Sequence, residues 1–300
     1  LRTVLRDQWG FDGILMSDWG STHYCLPAAQ GGLDLEMAGG EKMNPDSLRY
    51  FINRGDLDMN VIDEKVQHIL QTMIKFGFMD NEQLDSSIPE DNPASVKTAL
   101  DVAREGMVLL KNEGEVLPLA EGSRIALFGK GTFDYVKGGG GSGDVTVSYI
   151  TNLYEGFCKI GWGGHIHKET AEYYENWVEK QYEAGIDPGM TKEPELPEDL
   201  CRRATAFADT AVISLCRFSG EGWDRKSKYD ERMDESAVVI AGNTTVASSG
   251  TKETFPKGDF YLTEEEEKMI ETVTRYFEKV VVVLNVGGMV DTSWFVKEKK

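Results

Sequence analysis

The sequence predicts an α/β protein: the end of a (β/α) barrel over residues 1–80, a linker over 81–93, and a mostly parallel sheet covered on both faces over 94–300. Three observations predict it. Short apolar runs of strand length recur at 14–16, 124–128, 210–215 and 280–285, with helix-like stretches between them. The last three runs are apolar throughout rather than alternating, as in strands buried on both faces. Residues 81–93 are polar and include Pro89 and Pro93, which suits a linker.

The elements follow in order. Val4, Leu5, Gln8 and Trp9 belong to an opening helix. Ile14, Leu15 and Met16 form a short buried strand between Gly13 and Gly20. A helical stretch at 26–31, a second short strand at 33–37 and a helix at 46–53 come next. Asn60 is expected to cap a helix with Val61, Ile62, Val66, Ile69, Leu70, Met73 and Ile74 on one face, and Gly77 to end it. After the linker a helix spans 94–112. The strand at 124–128 ends at Gly129, and helices at 151–158, 171–184, 198–208 and 263–277 surround the strands at 210–215 and 280–285. Residues 185–197 and 226–258 are polar loop insertions, and no internal repeat is visible.

Bulk properties exclude several classes. A net charge of −19 disfavours nucleic acid as a partner, because phosphate binding needs clustered Lys and Arg. No run of about 18 apolar residues is present to span a membrane. Cys25, Cys158, Cys201 and Cys216 are too scattered for a metal pair or a disulfide frame and read as reduced, mostly buried thiols. His165 and His167 alternate on one strand face without further ligands for a metal. The chain opens on Leu1, inside a helical pattern and without a Met, so it is expected to be a fragment of a longer protein, and its compartment stays open.

The chemistry concentrates at two carboxylates. Asp18, in Ser17-Asp18-Trp19, stands at the end of a strand beside an aromatic face, where a barrel enzyme keeps a catalytic group. Sugars stack on such faces, and a carboxylate at an anomeric carbon is a nucleophile. The competing reading is a helix cap. A retaining glycosidase needs a second carboxyl group about 5 Å from the first. Glu221, in Ser219-Gly220-Glu221-Gly222-Trp223-Asp224-Arg225, follows the strand at 210–215 and so falls at the carboxyl end of a parallel strand. Trp223 could exclude solvent and raise the acid's pKa, and Arg225 could pair with Asp224. The plainer alternative is a solvated Glu221 beside a surface ion pair.

Other features read more plainly. The Gly-rich loop at 138–143 raises a nucleotide reading, but its spacing departs from G-x-G-x-x-G opening a helix, and residues 145–150 look extended. Asp34 and Glu36 read as hydrogen-bonding groups at the rim, and His23 as a helix-surface residue. Residues 264–267 read as the acidic first turn of a helix capped by Thr263.

Several stretches, in order, resemble glycoside hydrolase family 3. Gly10-Phe11-Asp12-Gly13-Ile14-Leu15-Met16-Ser17-Asp18-Trp19 resembles the family's G-F-x-G-x-[VIL]-x-S-D-W around its nucleophile. Residues 28–37 are similar to its A-x-x-A-G-x-D-x-x-M strand and residues 103–113 to its A-x-E-x-x-V-L-L-K-N helix, followed by Leu117-Pro118-Leu119. Residues 138–143 resemble its G-G-G-S-G loop, and residues 219–225 its S-G-E-G-x-D-R element. The resemblance implies the C-terminal part of a (β/α)8-type barrel, with its first six strands missing, followed by an incomplete α/β sandwich domain. It implies Asp18 as nucleophile and Glu221 as acid/base, with Trp19, Trp223 and Ser142 at the substrate. The implied activity is retaining hydrolysis of terminal β-linked sugars in oligosaccharides or aryl and alkyl glycosides, without metal or redox cofactor. A β-glucosidase is the first expectation. A β-xylosidase or a catalytically silent carbohydrate-binding relative is the alternative. The family's β-N-acetylglucosaminidases often lack the second domain, so residues 94–300 argue against that branch. Residues 1–300 alone are expected to be inactive and aggregation-prone, because a barrel closes only when all its strands pair.

Overall fold

Within residues 108–300, three parallel strands lie side by side in the order β1-β2-β3: β1 is Ile125–Phe128, β2 Thr210–Arg217 and β3 Lys279–Val286. The computed structural model describes residues 1–81, 87, 92–140, 145–220 and 253–297. They fall into two compact units, Leu1–Met107 and Val108–Lys300.

The second unit is built on that sheet. Every residue of β1 and β2 is buried, which explains their unbroken apolar character. Alternate side chains supply two cores. Phe128, Ile213 and Leu215 pack with Met269 and Val273 of one helix and Ala204 of another. Leu127 and Val212 face the opposite way, against Leu153, Phe157 and Trp162. The helices in chain order are α5 (Leu153–Lys159), α6 (Lys168–Glu183), α7 (Glu198–Phe207) and α8 (Glu264–Tyr276). Thr263 and Glu266 form a reciprocal capping box at α8, as the acidic first turn predicts. His165 and His167 are not on a strand. His165 ends a 3-10 turn, and His167 caps α6, because only Ile166 between them reaches β1, by a single bridge to Ile125.

The first unit carries α1 (Cys25–Gly31), α2 (Pro45–Asn53), α3 (Met59–Lys75) and α4 (Pro93–Gly106), after a π-helical segment Arg2–Gln8. The two strands expected at 14–16 and 33–37 reduce to one parallel bridge, Met16 to Leu35. The ladder stops there because the Leu15 N–H is taken by the Asp34 carboxylate instead of a strand carbonyl. Helix α3 is capped by Asp58 rather than Asn60: the Asp58 side chain accepts from the Asn60 N–H at 2.9 Å. Helix α4 ends at Gly106, short of 112, and the apolar run Met107, Val108, Leu109 and Leu110 continues as exposed, non-helical chain. The expected linker falls mostly outside the described residues.

Candidate active site

In the first unit Asp34 holds the chain that leads to Asp18. Its backbone N–H donates to Leu15 O at 2.9 Å, and its carboxylate accepts from Leu15 N at 2.8 Å, so Leu15 is gripped on both sides. The same carboxylate pairs with Arg6 and lies 2.9 Å from His68 Nδ1. One step on, Ser17 N–H donates to Leu35 O at 3.0 Å, and Ser17 Oγ accepts from Met37 N at 2.9 Å. Residues 15–17 are thus tied to 34–37, and Asp18 and Trp19, which follow them, are solvent-exposed. Asp18 Oδ1 accepts from Trp19 N–H at 2.8 Å. Asp18 caps no described helix, since α1 begins at Cys25 with Tyr24 at its N-cap. Glu36 is buried and accepts from the backbone of Lys42 and Met43, as the hydrogen-bonding reading expects. His23 is exposed in a loop, not on a helix.

In the second unit the chain leaving β1 crosses the backbone of β2. A Cβ on Gly129 or Gly131 would come within 2.4 or 2.7 Å of Ser214 O, and Gly129 has a φ of +86°. Only glycine fits there. The crossing turns Lys130 inward, where its ammonium meets Asp134 at 2.8 Å and Gly189 O at 3.2 Å. Asp134 also accepts from Thr191 Oγ1, from Gly189 N at 2.6 Å and from Tyr182 OH at 2.7 Å. Burial pushes the Asp134 carboxyl up, but Lys130 and these donors outweigh it and hold the group below the usual range. Glu193 accepts from Lys130 N and lies beside the Tyr174 hydroxyl, and burial raises its carboxyl to about 8. The Cys216 thiol, on β2, is pushed up to about 11 by burial.

The Gly-rich loop follows this cluster in the chain. Beyond Asp134, Tyr135, Val136, Gly138 and Gly139, with Val145 and Tyr149, line a pocket of about 320 Å³. Gly140 N–H donates to Ser219 O at 2.8 Å, and Gly140 and Gly220 form a parallel bridge. A Cβ on Gly220 would lie 2.8 Å from Gly140 N, so this close approach requires glycine. The loop opens no helix before α5 among the described residues, against a phosphate cradle. Glu221 and Ser142 follow these two glycines closely in sequence. Both, with Trp223, lie outside the described residues. Of the sequence-predicted site residues, the described structure therefore brings together Asp18 and Trp19.

Sequence reading missed three features: the double grip of Asp34 on Leu15, the Gly140–Gly220 bridge, and the inward Lys130. The last had a signal, a Lys and an Asp four residues apart directly after a strand. Among the described residues no His, Cys, Asp and Glu cluster could hold a metal, and no helix is long and apolar enough to cross a membrane.

Residues 107–300 match the glycosyl hydrolase family 3 C-terminal domain, and residues 1–72 match the glycosyl hydrolase family 3 N terminal domain. The chain belongs to glycosyl hydrolase family 3. It is 51% identical over 206 residues, 68% of its length, to β-glucosidase A of Butyrivibrio fibrisolvens, and covers 24% of that protein. Over 299 residues it is 28% identical to thermostable β-glucosidase B of Acetivibrio thermocellus, covering 34% of it. Among solved structures, β-glucosidase 3B from Thermotoga neapolitana in complex with glycerol superposes with a TM-score of 0.80 at 31% identity, over 99% of this chain and 39% of that one. The same enzyme in complex with glucose gives 0.77 at 32% identity. The fold is α/β, as in these family 3 relatives, and this chain spans well under half the length of each.

Proposed function

We propose that the protein is a retaining β-glucosidase whose family 3 chemistry runs through Asp18 and Glu221. Asp18 is the nucleophile: with Oδ1 held by the Trp19 N–H, Oδ2 attacks the anomeric carbon of a terminal β-linked glucose. The bond to the leaving oxygen breaks as the Glu221 carboxylic acid gives that oxygen its proton. A water then attacks the anomeric carbon, Glu221 takes the water's proton, and the ester to Asp18 breaks, returning both groups to their starting state. Trp19 and Trp223 offer stacking faces for sugar rings, and Ser142 a hydroxyl at the Gly-rich loop. The barrel and sandwich architecture of the family belongs to the same proposal, with this chain supplying the last barrel strands and part of the second domain. Domain limits of 1–80 and 94–300, joined by 81–93, go with it.

One observation carries the reading: the Ser17-Asp18-Trp19 carboxylate, exposed at the end of a chain segment hydrogen-bonded to residues 34–37, in a chain that matches glucose-bound β-glucosidase 3B over nearly its whole length. The partner class is an oligosaccharide or an aryl or alkyl glycoside. The test uses a form of the protein spanning the full length of its relatives. Asp18→Ala is expected to abolish turnover of nitrophenyl glucoside, and added azide to restore part of it with formation of the opposite anomer. Near wild-type turnover would remove Asp18 from the role, and faster wild-type turnover of nitrophenyl xyloside than of glucoside would replace the substrate.

A further inference from the structure

Arg217 ends β2, four residues before Glu221, and is buried at 3% exposure. Its five N–H groups all find acceptors. Two meet the Glu266 carboxylate of α8, at 2.7 and 2.6 Å. The others reach Cys216 O at 2.8 Å, Asp259 O at 3.1 Å and Tyr261 O at 3.0 Å. The guanidinium lies 4.6 Å from the ring centroid of Phe255. Glu266 is occupied on both sides, because the same carboxylate accepts the Thr263 N–H at 2.8 Å and so completes the α8 capping box.

Stability alone is a poor reason for this arrangement. Moving a guanidinium and a carboxylate out of water costs several kcal/mol, and well-packed apolar residues often serve a core as well or better. The partners of Arg217 point to another use. Cys216 and Arg217 belong to the strand that leads to Glu221, whereas Phe255, Asp259 and Tyr261 belong to the chain returning after residue 252. One rigid, planar group therefore ties the departing and returning chain together and anchors both to α8. Arginine suits this because its donors are fixed in one plane, and a lysine could not fill the same set. Three residues beyond Arg217, the Gly140–Gly220 bridge adds a second tie.

We propose that Arg217 is a positioning residue for Glu221: the clamp on Glu266, Asp259 and Tyr261 fixes the direction in which residues 218–220, which lead to it in sequence, leave the sheet. The proposal rests on the reading of Glu221 as acid/base. Proton donation is sensitive to position, since a displacement of about 1 Å can cost about 100-fold. Loss of the clamp should therefore damage acid catalysis more than the attack by Asp18.

The test compares Arg217→Lys, Glu266→Gln and Glu221→Ala in the full-length form, each with its Tm and circular dichroism spectrum. Formation of the glycosyl-enzyme is measured with dinitrophenyl glucoside, which needs little protonation, and with an alkyl glucoside, which needs much. Arg217→Lys and Glu266→Gln are expected to lower kcat/KM about 10-fold or more on the alkyl glucoside and less than about 3-fold on the dinitrophenyl substrate. The limb of the pH profile that reports the acid should move with them. Equal losses on both substrates, or no loss, would show that the clamp is only structural. If Arg217→Lys does not fold, Glu266→Gln decides on the same ratio. Glu221→Ala separates the two claims. If it shows the leaving-group dependence and the clamp variants do not, the proposal alone fails. If Glu221→Ala shows none, the acid/base reading fails and the proposal with it.

Discussion

The two units each bury a carboxylate against a basic side chain, but they seal the pair differently. In the second unit the charged anchors are sealed: Lys130 and Asp134 are 2% and 0% exposed. They lie beside a sheet whose central strand is buried at all eight positions. In the first unit the Asp34 carboxylate is just as deep, at 1%, but its partners Arg6 and His68 keep 12% and 22% of their side chains in water. Its apolar core is small, with Ala29, Leu33 and Leu57 as its buried apolar side chains among the described residues, while Val66, Leu70 and Ile74 of α3 are exposed. The difference concerns what replaces a lost partner. Water can reach Arg6 if Asp34 goes, whereas Lys130, sealed from water, would keep the Gly189 carbonyl alone of its described acceptors if Asp134 goes. The same kind of ion pair should therefore be dispensable to different degrees in the two units.

The largest effect is expected at Asp134. Asp134→Ala leaves a buried ammonium and three further donors without their acceptor. It should cost about 3–5 kcal/mol, the usual range for removing one partner of a buried pair. Denaturation followed by amide exchange in β1 and β2 measures it. A loss under about 1 kcal/mol would mean that water enters the cluster, and the contrast between the units would collapse.

Glu193 sharpens the same point through pH. Its folded carboxyl titrates at about 8, against an ordinary value of 4.5. Between those values the folded protein keeps a proton that the unfolded chain releases, so stability falls as pH rises from about 4.5 to 8 and then levels off. Glu193→Gln removes that dependence. Its stability relative to wild type should rise across this window, reaching roughly 2–3 kcal/mol in the second unit at neutral pH. Thermal melts of both proteins from pH 5 to 8 check it, and parallel curves would show that Glu193 is ionised in the folded state.

What could be read from the chain follows the same division. The strands of the second unit were legible because a sheet buried on both faces leaves an uninterrupted apolar run, and helices α5, α6 and α8 because a side chain caps each of them. The short strands of the first unit were over-read. Their apolar residues are there, but the Leu15 N–H is spent on the Asp34 side chain, and no local pattern announces a side chain that replaces a ladder bond. The same holds for the Arg217–Glu266 clamp, whose partners are far apart in sequence. Asp18 and Trp19 were legible as a motif, and both are exposed.

The smallest effect is expected at Asp34, and it tests the comparison from the other side. Asp34→Asn keeps an oxygen of the same shape for the Leu15 N–H but withdraws the charge from Arg6 and His68. A charge-assisted hydrogen bond contributes about 1.5–3 kcal/mol when sealed and less when a partner is wetted, so a loss of about 1–2 kcal/mol is expected. Because the Leu15 bond survives, the register of Met16 against Leu35 should persist, and amide exchange at Leu15 and Ser17 should quicken only modestly. Turnover should fall by about tenfold or less, with the proposed nucleophile Asp18 carried on a looser segment. A loss of 3 kcal/mol or more, matching Asp134→Ala, would show that solvent access to the partner does not distinguish the two anchors. In that case the depth of the carboxylate itself, equal in both units, would be the controlling quantity.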